Sequence, residues 1–132
     1  MKWFKKIFKK KHKLTEANLK WNKMCDMYGE GTLPSPYYEM FDYDSGIQGE
    51  GHYCYFDNCG DDLNKIIDVL MNNLPSVLKE NLKKAYDCYN RLENESALED
   101  DENAIEKCNS VYYSNEELIK NILQEYANTL SL

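Results

Sequence analysis

The sequence predicts an all-α protein: a single compact domain of five to six helices with a Gly-rich loop, led by a short basic N-terminal arm. Three observations carry that expectation. Apolar residues recur at three- and four-residue spacing through most of the chain. No stretch keeps the strict alternation of a half-buried strand. Prolines and glycines fall between the periodic stretches, where breaks are needed. The organisation expected is an arm over 1–13 and an acidic helical domain over 14–132.

The arm reads MKWFKKIFKKKHK. Trp3, Phe4, Ile7 and Phe8 recur at helical spacing with lysines on the other face, which reads either as a segment that lies on anionic lipid or as a loosely packed tail that aids solubility. It lacks the continuous apolar stretch and small-residue cleavage site of a secretory signal. From Thr15, an N-cap residue, Ala17, Trp21, Met24, Cys25 and Tyr28 share one helical face, and Gly29 with Gly31 supplies the stop. Ser35-Pro36 places a capping oxygen before a proline at the first helical position, opening a helix over Tyr37–Tyr43. Three glycines between Asp44 and Gly51 read as a loop, and the short aromatic stretch Tyr53–Asn58 as a helical turn, with a strand as the alternative.

Asp61 or Asp62 then caps a helix whose stripe is Leu63, Ile66, Ile67, Leu70 and Met71. Leu74-Pro75 breaks it, and a further helix follows with Leu78, Leu82, Ala85, Tyr86 and Tyr89 on one face. The last helix is expected to open at Ser114-Asn115-Glu116-Glu117, a capping-box pattern, and to bury Leu118, Ile119, Ile122, Leu123 and Tyr126.

Charge is the most informative compositional feature. The 132 residues hold 16 basic and 23 acidic side chains, a formal net of −7. Seven of the bases are lysines of residues 1–13, which leaves nine bases against 23 acids, a net of −14, on the remainder. Such a body repels nucleic acid and attracts basic partners, so direct DNA or RNA binding by the folded part is not expected. Glu93, Glu95, Glu99, Asp100, Asp101, Glu102 and Glu106 form a run without a base and are the candidate partner-binding face. A domain of this length spans roughly 36 Å. Duplex DNA of that length carries about 21 charges, the same order as the body's net charge if its acids gather on one side.

Signals for catalysis or metal binding are weak. His52, Cys54 and Cys59 are the nearest approach to a ligand set, but their spacing is irregular and no second pair of ligands matches them. A thiolate nucleophile is disfavoured by surrounding carboxylates. Asp42, Asp44, Glu50 and Asp57 lack the spacing of a calcium loop. Gly46–Gly51 lacks the lysine and hydroxyl of a phosphate loop. No catalytic residue, metal or cofactor is expected. Five cysteines, an odd number without a secretory signal, point to free thiols and a cytoplasmic setting, peripheral to the membrane if the arm engages lipid.

Two stretches carry a family resemblance. Tyr37-Tyr38-Glu39, then Gly51-His52, Tyr55-Phe56-Asp57-Asn58 and a helix from Asp61, together with Cys108-Asn109-Ser110-Val111-Tyr112-Tyr113, resemble the core of a bacterial domain family typified by an acidic, all-helical double-stranded DNA mimic. The chain departs from that pattern in having Gly49-Glu50-Gly51 for Asn-Gly-Gly, Cys54 for Gln and Asn109 for Asp. The resemblance implies a helical fold and occupation of the basic surface of a DNA-binding regulator. Tyr38, Gly51, His52, Tyr55, Phe56, Asp57 and Asn58 read structurally as aromatic core and loop-satisfying groups. Two other readings compete: a small-ligand binder or enzyme using the 49–58 cleft with His52, Asp57 and Asn58, and a membrane adaptor anchored by the arm.

Overall fold

The computed structural model describes residues 14–132, so the arm, with Trp3, Phe4, Ile7 and Phe8, lies outside the described residues. The described residues are helical, without a strand. In order they form α1 (Glu16–Glu30), α2 (Tyr37–Cys59), a 3-10 turn (Gly60–Asp62), α3 (Leu63–Asn73), α4 (Ser76–Glu93) and α5 (Asp101–Asn128). They divide into two compact units. One holds the described residues up to Leu33 together with Gln124–Leu132, and the other holds Pro34–Leu123.

In the first unit, Thr15 caps α1 as its sequence position implies, its hydroxyl accepting from the Asn18 N–H at 3.1 Å. Gly31 ends the helix in the left-handed conformation, φ 76°, which a Cβ would disfavour. Met24 is the fully buried residue of α1. Lys20 Nζ donates to the Asn128 carbonyl at 3.0 Å, Lys23 Nζ to the Ser131 carbonyl, and Gln124 Nε2 to the Ala17 carbonyl at 3.2 Å. α1 has no basic residue in its last turn. Its lysines instead reach the final carbonyls of α5 and the residues just beyond, the negative end of that helix.

In the second unit the sequence partition needs four corrections. The expected Gly-rich loop over Asp44–Gly51 is helical. Tyr37–Tyr43, the supposed loop and Tyr53–Asn58 are one element, α2, kinked at Gly51. Met40, Tyr43 and Ile47 are buried at i, i+3 and i+7, and their apolar stripe outweighs the low helix propensity of Gly46 and Gly49. The last helix opens at Asp101, well before the capping-box pattern. The helix runs on through Ser114, burying Ile105, Cys108, Tyr112, Ile119 and Leu123, so that pattern lies inside a helix and starts nothing. Leu118, expected in the core, is 38% exposed because it falls off that stripe.

Ser35 is the third correction. Its hydroxyl bonds to the Glu39 carboxylate, and no side chain caps α2. Asp62 stands at the start of α3, but its side chain makes no capping bond, so the expected Asp61 or Asp62 cap is not formed. Leu74 is extended before Pro75, as a pre-proline residue tends to be. Leu63, Ile67 and Leu70 of α3 and Leu78, Leu82 and Ala85 of α4 are buried. Buried Asn81 donates to the Cys108 carbonyl at 2.8 Å, tying α4 to α5 in the middle of the core.

Candidate functional site

The two stretches singled out by the resemblance meet in space. At Gly51 the backbone takes φ 82° and ψ 177°, a combination open to glycine and closed to almost every other residue. The second limb of α2 therefore starts afresh at His52 and exposes unpaired N–H groups. Asn109 of α5 supplies the cap. Its Oδ1 accepts from the His52 backbone N–H at 2.9 Å and lies 2.6 Å from His52 Nδ1. A Cβ on residue 51 would come within 2.7 Å of Asn109 Nδ2, so the glycine also makes room for the cap.

These bonds fix the imidazole. A backbone N–H can only donate, so the Asn109 atom facing it is the oxygen, and the ring nitrogen beside the same oxygen carries the proton. Nε2 is then a bare acceptor, and the Tyr43 hydroxyl donates to it at 2.7 Å. His52 is fully buried, neutral and in the Nδ1–H tautomer. Burial drives its pKa down to about 4, opposed by the Asn109 hydrogen bond. Burial likewise pushes the Tyr43 hydroxyl up, so it stays protonated as a donor.

Aromatic rings close around this network. Tyr43 meets Tyr55 and Tyr112 edge-on, with ring centroids 5.4 Å and 5.3 Å apart. His52 lies 5.7 Å from Phe56. Gly46 is what lets Tyr55 in: a Cβ there would fall 2.3 Å from the ring. Tyr112 donates to Asp44, and Tyr113 to the Ile47 carbonyl at 3.0 Å, strapping the first limb of α2 to α5. Of the motif residues, Gly51, His52, Tyr55 and Phe56 are thus buried together. Tyr38 is exposed. Asp57 accepts from Tyr89 at 3.3 Å and Asn58 donates to Glu50 at 2.6 Å, both at the surface. His52 is therefore enclosed, while Asp57 and Asn58 lie at the surface with partners of their own.

A cleft does exist beside the kink, with other walls. Glu50, Tyr53 and Cys54 of α2, Leu92 of α4, and Glu102, Ile105 and Glu106 of α5 line a space of about 560 Å³. Of these, Ile105 is buried and Leu92 half-buried, while Glu50, Glu102 and Glu106 are exposed. Tyr53 is 39% exposed and donates to Glu93. Phe56, Tyr89 and Tyr53 follow one another edge-on at 5.3 Å and 5.2 Å, so the rim ring rests on the core. The bond to Glu93 first, and then partial desolvation, pushes the Tyr53 hydroxyl up to about 12.

The seven acids of the 93–106 run have unequal fates. Glu93 holds the cleft wall through Tyr53. Glu95 takes φ 56° beyond the end of α4, where the Ser96 N–H returns to the Arg91 carbonyl at 3.0 Å. Glu99, Asp100, Glu102 and Glu106 are exposed. Asp101 is a correction to the expected face. It is buried, accepts both Arg91 guanidinium bonds at 2.9 Å, and accepts the Leu98 N–H at 2.7 Å. Those bonds, Arg91 foremost, hold its carboxyl at about 2. It is a structural carboxylate neutralised in place.

Sequence reasoning missed Glu50, Tyr53, Leu92 and Ile105 as neighbours. The spacing of His52, Tyr55 and Phe56 was a helical signal, but which helices bring these four together is not a local property. Among the described residues no group of His, Cys, Asp or Glu is placed to hold a metal ion, and the five cysteines are free thiols. No helix among the described residues is long and apolar enough to cross a membrane. Compared with protein families, curated proteins and solved structures, the chain matches none.

Proposed function

We propose that the protein is a non-enzymatic binding protein that presents an anionic surface to a basic protein, in the manner of a DNA mimic occupying the DNA-binding surface of a regulator. The observation that carries this reading is how the carboxylates are satisfied. Residues 37–62 hold seven acids and no lysine or arginine, as do residues 93–106. Where their partners are described, most are neutral donors: Tyr112 on Asp44, Asn58 on Glu50, Tyr89 on Asp57 and Tyr53 on Glu93. A neutral donor orients a carboxylate and leaves its charge uncancelled. Arg91 with Asp101 is the exception, and there the carboxylate is buried. Both acidic stretches line the cleft, Glu50 from the first and Glu102 and Glu106 from the second, with no lysine or arginine in its lining.

The polar groups best suited to acid–base chemistry argue the same way. His52 is enclosed and committed to Tyr43 and Asn109. The membrane-adaptor reading rests on residues outside the described ones. The test is capture on the immobilised full chain at about 50 mM salt, followed by elution with duplex DNA or with about 200 mM salt. A DNA-binding protein released by both is the expected result. Recovery of no basic protein, or binding indifferent to salt, refutes the reading.

A further inference from the structure

Among the described residues, the Tyr55 hydroxyl is buried without a hydrogen-bond partner. An unpaired buried donor is costly, and this phenol cannot swing away to find an acceptor. The side chain is 4% exposed, its ring set against Tyr43 and Phe56 at 5.4 Å and 5.9 Å and close over Gly46. One turn further along the same limb of α2 stands Cys59, the group this hydroxyl faces. A thiol sulfur is a weak acceptor and leaves the phenol O–H unsatisfied. Cys59 itself is a free, half-buried thiol at the end of the helix, within reach of solvent. Burial first, and then Asp42 and Asp62, pushes that thiol up, against the pull of the Tyr55 hydroxyl.

We propose that Cys59 is a site of reversible oxidation by hydrogen peroxide, the single oxygen added to its sulfur accepting the hydrogen bond that the Tyr55 hydroxyl lacks. The thiol releases its proton, the thiolate sulfur attacks one peroxide oxygen, and the O–O bond breaks. The departing hydroxide takes up a proton and leaves as water. Sulfur loses two electrons and peroxide gains them, so the thiol becomes a sulfenic acid. The two carboxylates slow this step, which needs the thiolate, and oppose the next, because a sulfinic acid is an anion at neutral pH. Oxidation therefore rests at the sulfenic acid, the form from which thiols restore the cysteine. None of this depends on the basic partner proposed above.

The test exposes the reduced full chain and its Tyr55→Phe variant to hydrogen peroxide, removes the oxidant with catalase, and adds dimedone after increasing delays. Peptide mass spectrometry reads the adduct at each cysteine. The Cys59 adduct is expected to persist about fivefold longer in the unmodified chain than in the variant, the worth of one hydrogen bond. Cys54, exposed on the same limb, is the internal reference and is expected to behave alike in both chains. Cys59 labelling should quicken as pH rises above neutrality, since only the thiolate attacks. Urea midpoints of the two reduced chains check the premise. Tyr55→Phe should be at least as stable as the unmodified chain, because the hydroxyl it loses has no partner. A fall in that midpoint would show the hydroxyl already paired and overturn the proposal. So would an adduct confined to Cys54, equal persistence in both chains, or Cys59 passing directly to the sulfinic acid.

Discussion

Lowering the pH from 7 to about 5 should cost the fold about 2 kcal/mol through one buried imidazole. His52 has a folded pKa of about 4, against 6.5 for the ordinary side chain. Between those values the unfolded chain binds a proton that the folded chain refuses, so stability rises with pH across the window and is lost as pH falls through it. The contribution is complete above pH 6.5. It amounts to about 3 kcal/mol, of which about 2 kcal/mol is gone by pH 5 and the rest by pH 4. The cause is geometric: a proton on Nε2 would set two donors, the ring N–H and the Tyr43 O–H, against each other 2.7 Å apart in a buried aromatic enclosure. Urea denaturation followed by helical circular dichroism is the assay. The midpoint should fall by about 1 M between pH 7 and 5. His52→Gln should lose that dependence, the carboxylates common to both chains cancelling in the comparison. An unmodified chain whose midpoint stays level over this range would refute the neutral, enclosed histidine.

The remaining predictions bear on the same elements. Gly51→Ala should destabilise by about 1–3 kcal/mol through its positive φ alone, with the Asn109 contact adding to this. Gly46→Ala should cost about 1–3 kcal/mol by forcing the Tyr55 ring aside. Gly49→Ala, with open space around it, should stabilise by about 0.5–1 kcal/mol. Denaturation midpoints in that order check all three. Asn109→Ala should cost about 1–3 kcal/mol by orphaning the His52 N–H groups. Asn109→Asp should keep the cap, raise the His52 pKa through its charge, and flatten the pH dependence, as an NMR titration of the imidazole would read. Arg91→Met should lower the melting temperature near neutral pH by leaving Asp101 unpaired. The Asp101 carboxyl titrates near 2, so its stabilisation is present above its ordinary value of 3.8 and fades as pH falls from 3.8 toward 2.

The helical class was legible because periodicity is a local property, and the stripes of α3 and α4 are those the chain spells out. So was the charge division, since counting acids needs no geometry. The site was half legible. The sequence marks Gly51, His52 and Asn109 as unusual, and it groups the acids into two stretches without a lysine or arginine.

What it could not show was which of three nearby glycines bends the chain. Gly46, Gly49 and Gly51 look alike in one dimension, and loop is the local reading of all three. Tertiary packing separates them. One admits the Tyr55 ring, one faces open space, and one adopts a backbone angle that Asn109, far along the chain, holds in place. Asp101 makes the same point from the acidic side. Its position in the run says surface charge, and Arg91 with the Leu98 N–H turns it into a buried brace. Local pattern determines which segments coil and what charge they carry. The contacts that decide where a helix kinks, and which carboxylate remains available, form between residues far apart in the chain, and only the folded structure brings these together.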